Sequence, residues 1–175
     1  MEDFTSEEKP KKKIDTGLLV GLCAIFISVA TLFVYIYQAR IMQSQQHASV
    51  WPYLESSHSD VDGFCLQVQN KGIGPAIIKD AHLFLDSTEV DLNGLFDELI
   101  GKNRKNMPYQ TSYVMGRVMA PGESFKIFNI IESIYAHKID SAFEIRNVRL
   151  EICFCSIYKD CWTSKGLEVV ESVCK

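Results

Sequence analysis

The chain changes its polar pattern at two places. From Gly17 to Gln38 it reads GLLVGLCAIFISVATLFVYIYQ, 22 residues without a charge. At about 1.5 Å of rise per residue a helix of that length crosses a hydrocarbon core of about 30 Å, so residues 17–38 predict one transmembrane helix. The stretch is too long for the apolar core of a secretory signal, and no small-residue cleavage site follows it. Asp15 or Thr16 is placed to cap its start, and Tyr35 and Tyr37 fall where aromatic rings favour the headgroup level. Residues 39–50 (ARIMQSQQHASV) hold neither Gly nor Pro and predict a polar helical stalk that Trp51-Pro52 stops.

Beyond the stalk the period shortens to that of a strand. Segments 51–57, 63–70, 76–86, 112–119, 124–131, 142–157 and 160–170 are rich in Val, Ile, Phe, Tyr and Thr and are punctuated by Gly, Asn, Asp and Pro. Their number and spacing predict a mainly β fold, a β-sandwich. One stretch departs: Leu92, Leu95, Phe96, Leu99 and Ile100 recur at helical spacing between an Asp91 cap and a Gly101 stop, one short helix inserted between strands. It reads as a plug for one end of the sandwich, or as a docking element whose tail exposes Lys102, Arg104 and Lys105. The organisation is therefore a head at 1–16, a span at 17–38, a stalk at 39–50 and one β domain at 51–175, long enough to bury its own core.

Charge gives the span a direction. Lys9, Lys11, Lys12 and Lys13 precede it, whereas Arg40 is the only Lys or Arg in the thirty residues after it. Cations near the ends set topology, and the neighbouring Glu2, Asp3, Glu7 and Glu8 count little. The N-terminus is expected in the cytoplasm and the domain outside, periplasmic or extracellular, with a bacterial inner membrane as the host bilayer. A net charge of −4 and scattered basic residues argue against nucleic acid. The expected partners are the lipid bilayer and a protein, which includes a second copy of the chain. Gly17, Gly21, Ala24, Ser28 and Thr31 stack small residues on one face of the span and allow close helix packing.

The most distinctive motif is Asn70-Lys71-Gly72-Ile73-Gly74-Pro75-Ala76, after the alternating strand FCLQVQ. Pro75 removes a backbone donor and no Gly-Lys-Ser/Thr follows, which argues against a phosphate loop. A structural turn using positive φ at glycine, with Pro75 aiming the next strand, accounts for Asn70, Gly72, Gly74 and Pro75. Together with Ala120-Pro121-Gly122-Glu123-Ser124 ahead of a later strand, this motif resembles bacterial extracytoplasmic immunoglobulin-like domains of the cell-adhesion-related type, over residues 60–131. The chain is also similar to uncharacterised bacterial single-pass membrane proteins that open their β domain with Trp51-Pro52-Tyr53 and end it with a C-S-x-Y-x-x-C-W hairpin, here Cys155 to Trp162. The resemblance implies an immunoglobulin-like sandwich and carries no activity. The insert at 87–111 departs from that pattern and leaves strand order open.

Cys23 lies in the span, leaving Cys65, Cys153, Cys155, Cys161 and Cys174 outside. With Tyr158 at the centre of a hairpin loop, Cys155 and Cys161 stand opposite each other at the distance a disulfide needs. Cys153 is then open to pairing with Cys65 or Cys174, and the odd count leaves one thiol free or linking two chains. Zinc competes for Cys153, Cys155 and Cys161, but no C-x-x-C occurs and an oxidising compartment favours disulfides.

Catalytic patterns are sparse. His47, His58, His82 and His137 are far apart and form no H-E-x-x-H, no G-x-S-x-G is present, and Asp15-Thr16-Gly17 copies an aspartic-protease tripeptide only once, beside the span. Asp60, Asp62, Asp86, Glu89 and Asp91 lack the alternating oxygen spacing of a calcium loop. The expectation is a non-catalytic binding or assembly module with no cofactor and no metal. The alternatives are a membrane-acting effector or exclusion protein working through its span, and an enzyme whose site gathers histidines and acids from separate loops.

Overall fold

The computed structural model describes residues 16–102 and 107–174. Lys9, Lys11 to Lys13, Asp15, Arg104 and Lys105, to which the sequence assigns topology, capping and an exposed loop, lie outside them. The chain divides into two units, Met1–Gln45 and Gln46–Lys175.

The described residues of the first unit belong to helix α1, which runs Thr16–Ala48. Its apolar stretch is long enough to cross a membrane. Ser28 and Thr31 donate their hydroxyls to the carbonyls of Ala24 and Ile27 at 2.8 and 2.7 Å, so both polar groups on the small-residue face are satisfied within the helix.

The second unit holds two antiparallel sheets around one core. In the first, β1 (Leu54–Ser59), β2 (Phe64–Asn70), β7 (Ser124–Ile130) and β5 (Gln110–Thr111) lie in the order β1-β2-β7-β5. The second has the order β10-β9-β8-β3-β4, built from β3 (Ala76–Leu85), β4 (Thr88–Val90), β8 (Val148–Cys155), β9 (Cys161–Lys165) and β10 (Glu168–Glu171). A short β6 (Val118–Met119) pairs with the start of β3. Alternation decides which side chains enter: Phe64, Leu66 and Val68 of β2, Ile78 of β3, Phe128 and Ile130 of β7, and Ile152 and Phe154 of β8 share one buried cluster. Helix α2 (Leu92–Ile100) closes one end with buried Leu95 and Phe96, the latter edge-on to Tyr109 and Phe128. Its start is capped as the sequence reads, with Gly94 N–H donating to the Asp91 carboxylate at 2.9 Å.

Three expectations need correction. Residues 133–141 and the start of the 142–157 strand form a helix, α3 (Ser133–Ile145), so the described residues of the domain hold two helices rather than one. Ala136, Ile139 and Phe143 give it an inward face at helical spacing. No side chain caps its N-terminus and Arg146 leads directly into β8, so neither a start nor a stop signal marked it. Segment 112–119 is not a single strand. Ser112 N–H bonds the Ile127 carbonyl beside β5, Gly116 turns at φ 73°, and Ile78 N–H then bonds the Arg117 carbonyl beside β6, so the segment passes from one sheet to the other.

The third correction concerns the motif at Asn70. Gly72 and Gly74 do not use positive φ. They are glycines because the backbone of residues 50–53 lies against them: a Cβ on Gly72 would strike Tyr53 N and Trp51 O, and one on Gly74 the Val50 carbonyl. Ile73 and Gly74 donate to the Trp51 carbonyl at 3.0 and 3.2 Å, and Lys71 to that of Tyr53 at 2.8 Å. Asn70 continues the inward series of β2 and is fully buried. Its Oδ1 accepts from Gly72 and Tyr53, and its Nδ2 faces the carbonyls of Gly74, Met119 and Ala120 at 2.9, 3.2 and 3.3 Å. Its own carbonyl accepts from Gly122, where φ is 76° after Pro121, in the pattern of a type II turn. Ala120 N–H, helped by Arg117, holds the Glu123 carboxyl below its ordinary pKa.

Asn70→Ala should destabilise the domain by about 1–3 kcal/mol, because it strands buried carbonyls and amides at once. Gly74→Ala should destabilise it too, by displacing the Val50 backbone. Urea unfolding of the full chain in detergent reads both; an unchanged midpoint for Asn70→Ala would contradict this role.

Candidate functional site

A groove that combines tryptophans with carboxylates lies wholly in the second unit, between residues 47–51, the β8–β9 turn and the end of β10. Its volume is about 770 Å³, and His47, Trp51, Asp160, Trp162 and Glu171 line it. Each wall has a local cause. The β8–β9 turn closes as Ser156 N–H bonds the Asp160 carbonyl at 2.8 Å, while the buried Ser156 hydroxyl accepts from Tyr158 N at 3.1 Å and Asp160 N at 3.3 Å. Lys159 takes φ 69° to complete it. This geometry presents Tyr158 and Asp160 together: the His47 ring stacks on Tyr158 with centroids 4.4 Å apart, and its Nδ1 lies 2.8 Å from Asp160 Oδ2.

Trp162 stands on β9 with Glu171 of β10 opposite it in register, and leans on core Phe154 at 6.0 Å. Beyond β10 the chain stays beside β9, extending its register by one pair: Ser172 N–H bonds the Cys161 carbonyl at 3.1 Å and its hydroxyl lies 2.7 Å from that of Thr163. Two disulfides tie this corner, Cys155 to Cys161 across the hairpin and Cys153 to Cys174 of the tail. Cys155 and Cys161 are also register partners, the opposition expected of a loop centred on Tyr158. Of the two partners left open for Cys153, the structure uses Cys174. Cys65 is a buried free thiol.

The groove offers two indole rings and two carboxylates, a surface suited to apolar and cationic side chains. Of the lining residues that carry a thiol or hydroxyl, Cys161 is in a disulfide and the Ser172 hydroxyl lies 2.7 Å from that of Thr163. The four histidines go to four separate cavities: His47 here, His137 beside α3, His58 between the sheets, and His82 beside β4. No two of the four histidines share a cavity, whereas acids join a histidine in three of them: Asp160 and Glu171 with His47, Asp60 and Asp140 with His137, and Glu89 and Asp91 with His82. His58 packs against Phe64 and Phe143 at 5.8 and 5.7 Å as part of an aromatic cluster. Most of the acids named from the sequence have structural partners. Asp86 pairs with Arg146, Glu89 with His82, and Asp91 caps α2, while Asp60 lines the cavity beside α3. Sequence reasoning isolated Cys155 and Cys161 and the two motifs that hold Trp51 and Trp162, but not the groove, because nothing in those motifs brings the two tryptophans together and Glu171 meets Trp162 only through hairpin register.

His82 is clamped between carboxylates, with Nδ1 2.6 Å from Glu89 and Nε2 2.8 Å from Asp80. The Glu89 hydrogen bond foremost, and Asp80 with it, raises its pKa above 6.5 against opposing desolvation. The folded state therefore binds this proton more tightly than the unfolded one. The resulting stabilisation is complete below pH 6.5 and disappears as pH rises through the folded value. Unfolding midpoints measured across that range should show a falling component that His82→Gln removes; an identical profile for the variant would contradict it. No family model matches this chain, and no curated protein or solved structure is detectably similar to it.

Proposed function

We propose that the chain is a membrane-tethered, extracytoplasmic binding or assembly module that captures a protein segment carrying cationic and apolar side chains. In this reading α1 crosses a bacterial inner membrane once, with the N-terminus cytoplasmic and the β domain outside. The length and hydropathy of α1 support the tether. Lysines ahead of the span support the direction. Two disulfides support an oxidising compartment for the domain.

An immunoglobulin-like identity for the domain has support in the strand order. In that fold one sheet runs A-B-E-D and the other G-F-C, with a further C′ strand in some members. The order β1-β2-β7-β5 reproduces the first when β5 is D and β7 is E, and β9-β8-β3-β4 reproduces G-F-C-C′. Helix α2 then occupies the connection from C′ to D, and α3 that from E to F. Domains of this kind bind through end loops, edges and insertions rather than by a fixed chemistry.

The observation that carries the proposal is the groove. Trp51 is 43% exposed and Trp162 is partly exposed beside Asp160 and Glu171, a combination that buried aromatic and charge-paired contacts of a partner would satisfy. A photo-crosslinking residue placed at Trp162 or Tyr158 in the full chain should trap a discrete protein, and one placed at Lys126 on the exposed face of β7 should not. Reversing the groove charge with Asp160→Lys and Glu171→Lys should reduce that product by roughly tenfold or more, the equivalent of about 1.4 kcal/mol. Crosslinking insensitive to charge reversal would overturn the reading. Loss of the product on Gly21→Leu and Ser28→Leu, with the groove intact, would favour an effector acting through the span.

A further inference from the structure

We propose that the sulfurs of Cys153, Cys155, Cys161 and Cys174 form a tetrahedral zinc-thiolate site when both disulfides are reduced. The four cysteines converge from three places in the chain, with the spacing C-x-C-x5-C-x12-C. Cys153 and Cys155 are two apart on β8 and so share one face of the sheet. Cys161 is the register partner of Cys155 on β9, and Cys174 arrives on the tail.

Three of the four sulfurs lie close enough together to share a metal once reduced. The sulfurs of Cys155, Cys161 and Cys174 lie within 4.8 Å of one another. Those of Cys155 and Cys174, which are not bonded to each other, are 3.8 Å apart. A tetrahedral zinc with Zn–S bonds of about 2.3 Å holds its sulfurs about 3.8 Å apart. Cys153 lies outside that group of three and is brought to it through its bond to Cys174, so the proposed site needs both S–S bonds broken and the Cys153 side chain turned toward the other three sulfurs. The surroundings fit thiolates too: the Thr163 hydroxyl donates to Cys153 Sγ at 3.5 Å and the Ser172 hydroxyl lies 3.6 Å from it. Hydrogen bonds of this kind orient and stabilise metal-bound sulfur. Soft thiolates select zinc over magnesium or calcium.

The conversion balances simply. Two equivalents of a dithiol deliver four electrons and four protons to the two disulfides, giving four thiols and two oxidised dithiols. Zinc then displaces the four thiol protons. The tail at residues 172–174 stays pinned to β8 and β9 in either state, by disulfides or by metal, and this holds whatever occupies the neighbouring groove.

The test uses the full chain in detergent with Cys23→Ser and Cys65→Ser, so that only these four thiols remain. After reduction with a phosphine, Co²⁺ should bind at one equivalent, show the visible bands of a tetrahedral thiolate site, and be displaced by one equivalent of Zn²⁺. Cys174→Ser and Cys161→Ser should each weaken binding at least about tenfold, and Zn²⁺ should raise the unfolding midpoint of the reduced chain. Absence of the tetrahedral spectrum would overturn the site, as would a spectrum indifferent to both substitutions. Metal binding that leaves the unfolding midpoint unchanged would overturn it as well, since it would report the thiolates of an unfolded chain.

Discussion

A single buried amide organises the β domain. Asn70 occupies the last inward position of β2, where alternation calls for an apolar side chain, and there it bonds three separate stretches of backbone. The beginning of the domain at Tyr53, the turn at Gly72–Gly74 and the crossing segment at Met119–Ala120 all converge on it. A buried amide is costly unless its donors and acceptors are all engaged, and that condition makes the arrangement specific. Residues 50–53 can approach because Gly72 and Gly74 have no side chains. The position of Trp51, and with it one wall of the groove, follows from that packing.

The opposite wall depends on a different device. The β8–β9 turn holds Asp160, and the tail and both disulfides fix Trp162 and Glu171 on two short strands that alone would be weakly held. Strand β10 is only four residues long and largely exposed, yet the Cys153–Cys174 bridge and the Ser172 contacts anchor the chain beyond it. The aromatic and acidic side chains of the groove are thus carried on a covalently braced corner, a rigidity that lowers the ordering cost of binding.

How much of this could be read from residues alone varied with the physics involved. Alternation in FCLQVQ, the Asp91 cap and the opposition of Cys155 and Cys161 are local, and local rules located them. The glycines at 72 and 74 were noticed as a turn, but their reason is a close approach of backbone some twenty residues earlier, which no dihedral preference encodes. Helix α3 was missed because Ala136, Ile139 and Phe143 are an inward face without caps, embedded in a sequence rich in β-branched and aromatic residues. The groove was invisible because its chemistry is assembled by register: Trp162 meets Glu171 only once β9 and β10 pair. Cysteine pairing fell between these cases, with Cys155–Cys161 readable from the hairpin and Cys153–Cys174 dependent on the path of the tail.

The proposal of a tethered domain working outside the cytoplasm turns on where these cysteines reside and in what state. Labelling in intact cells with a membrane-impermeant maleimide addresses both. A domain outside the membrane predicts no labelling of Cys153, Cys155, Cys161 or Cys174 before reduction, and labelling without permeabilisation once an impermeant reductant has opened the disulfides. Labelling of these cysteines without any reductant, and only in permeabilised cells, would place the domain in the cytoplasm with free thiols and contradict the proposal.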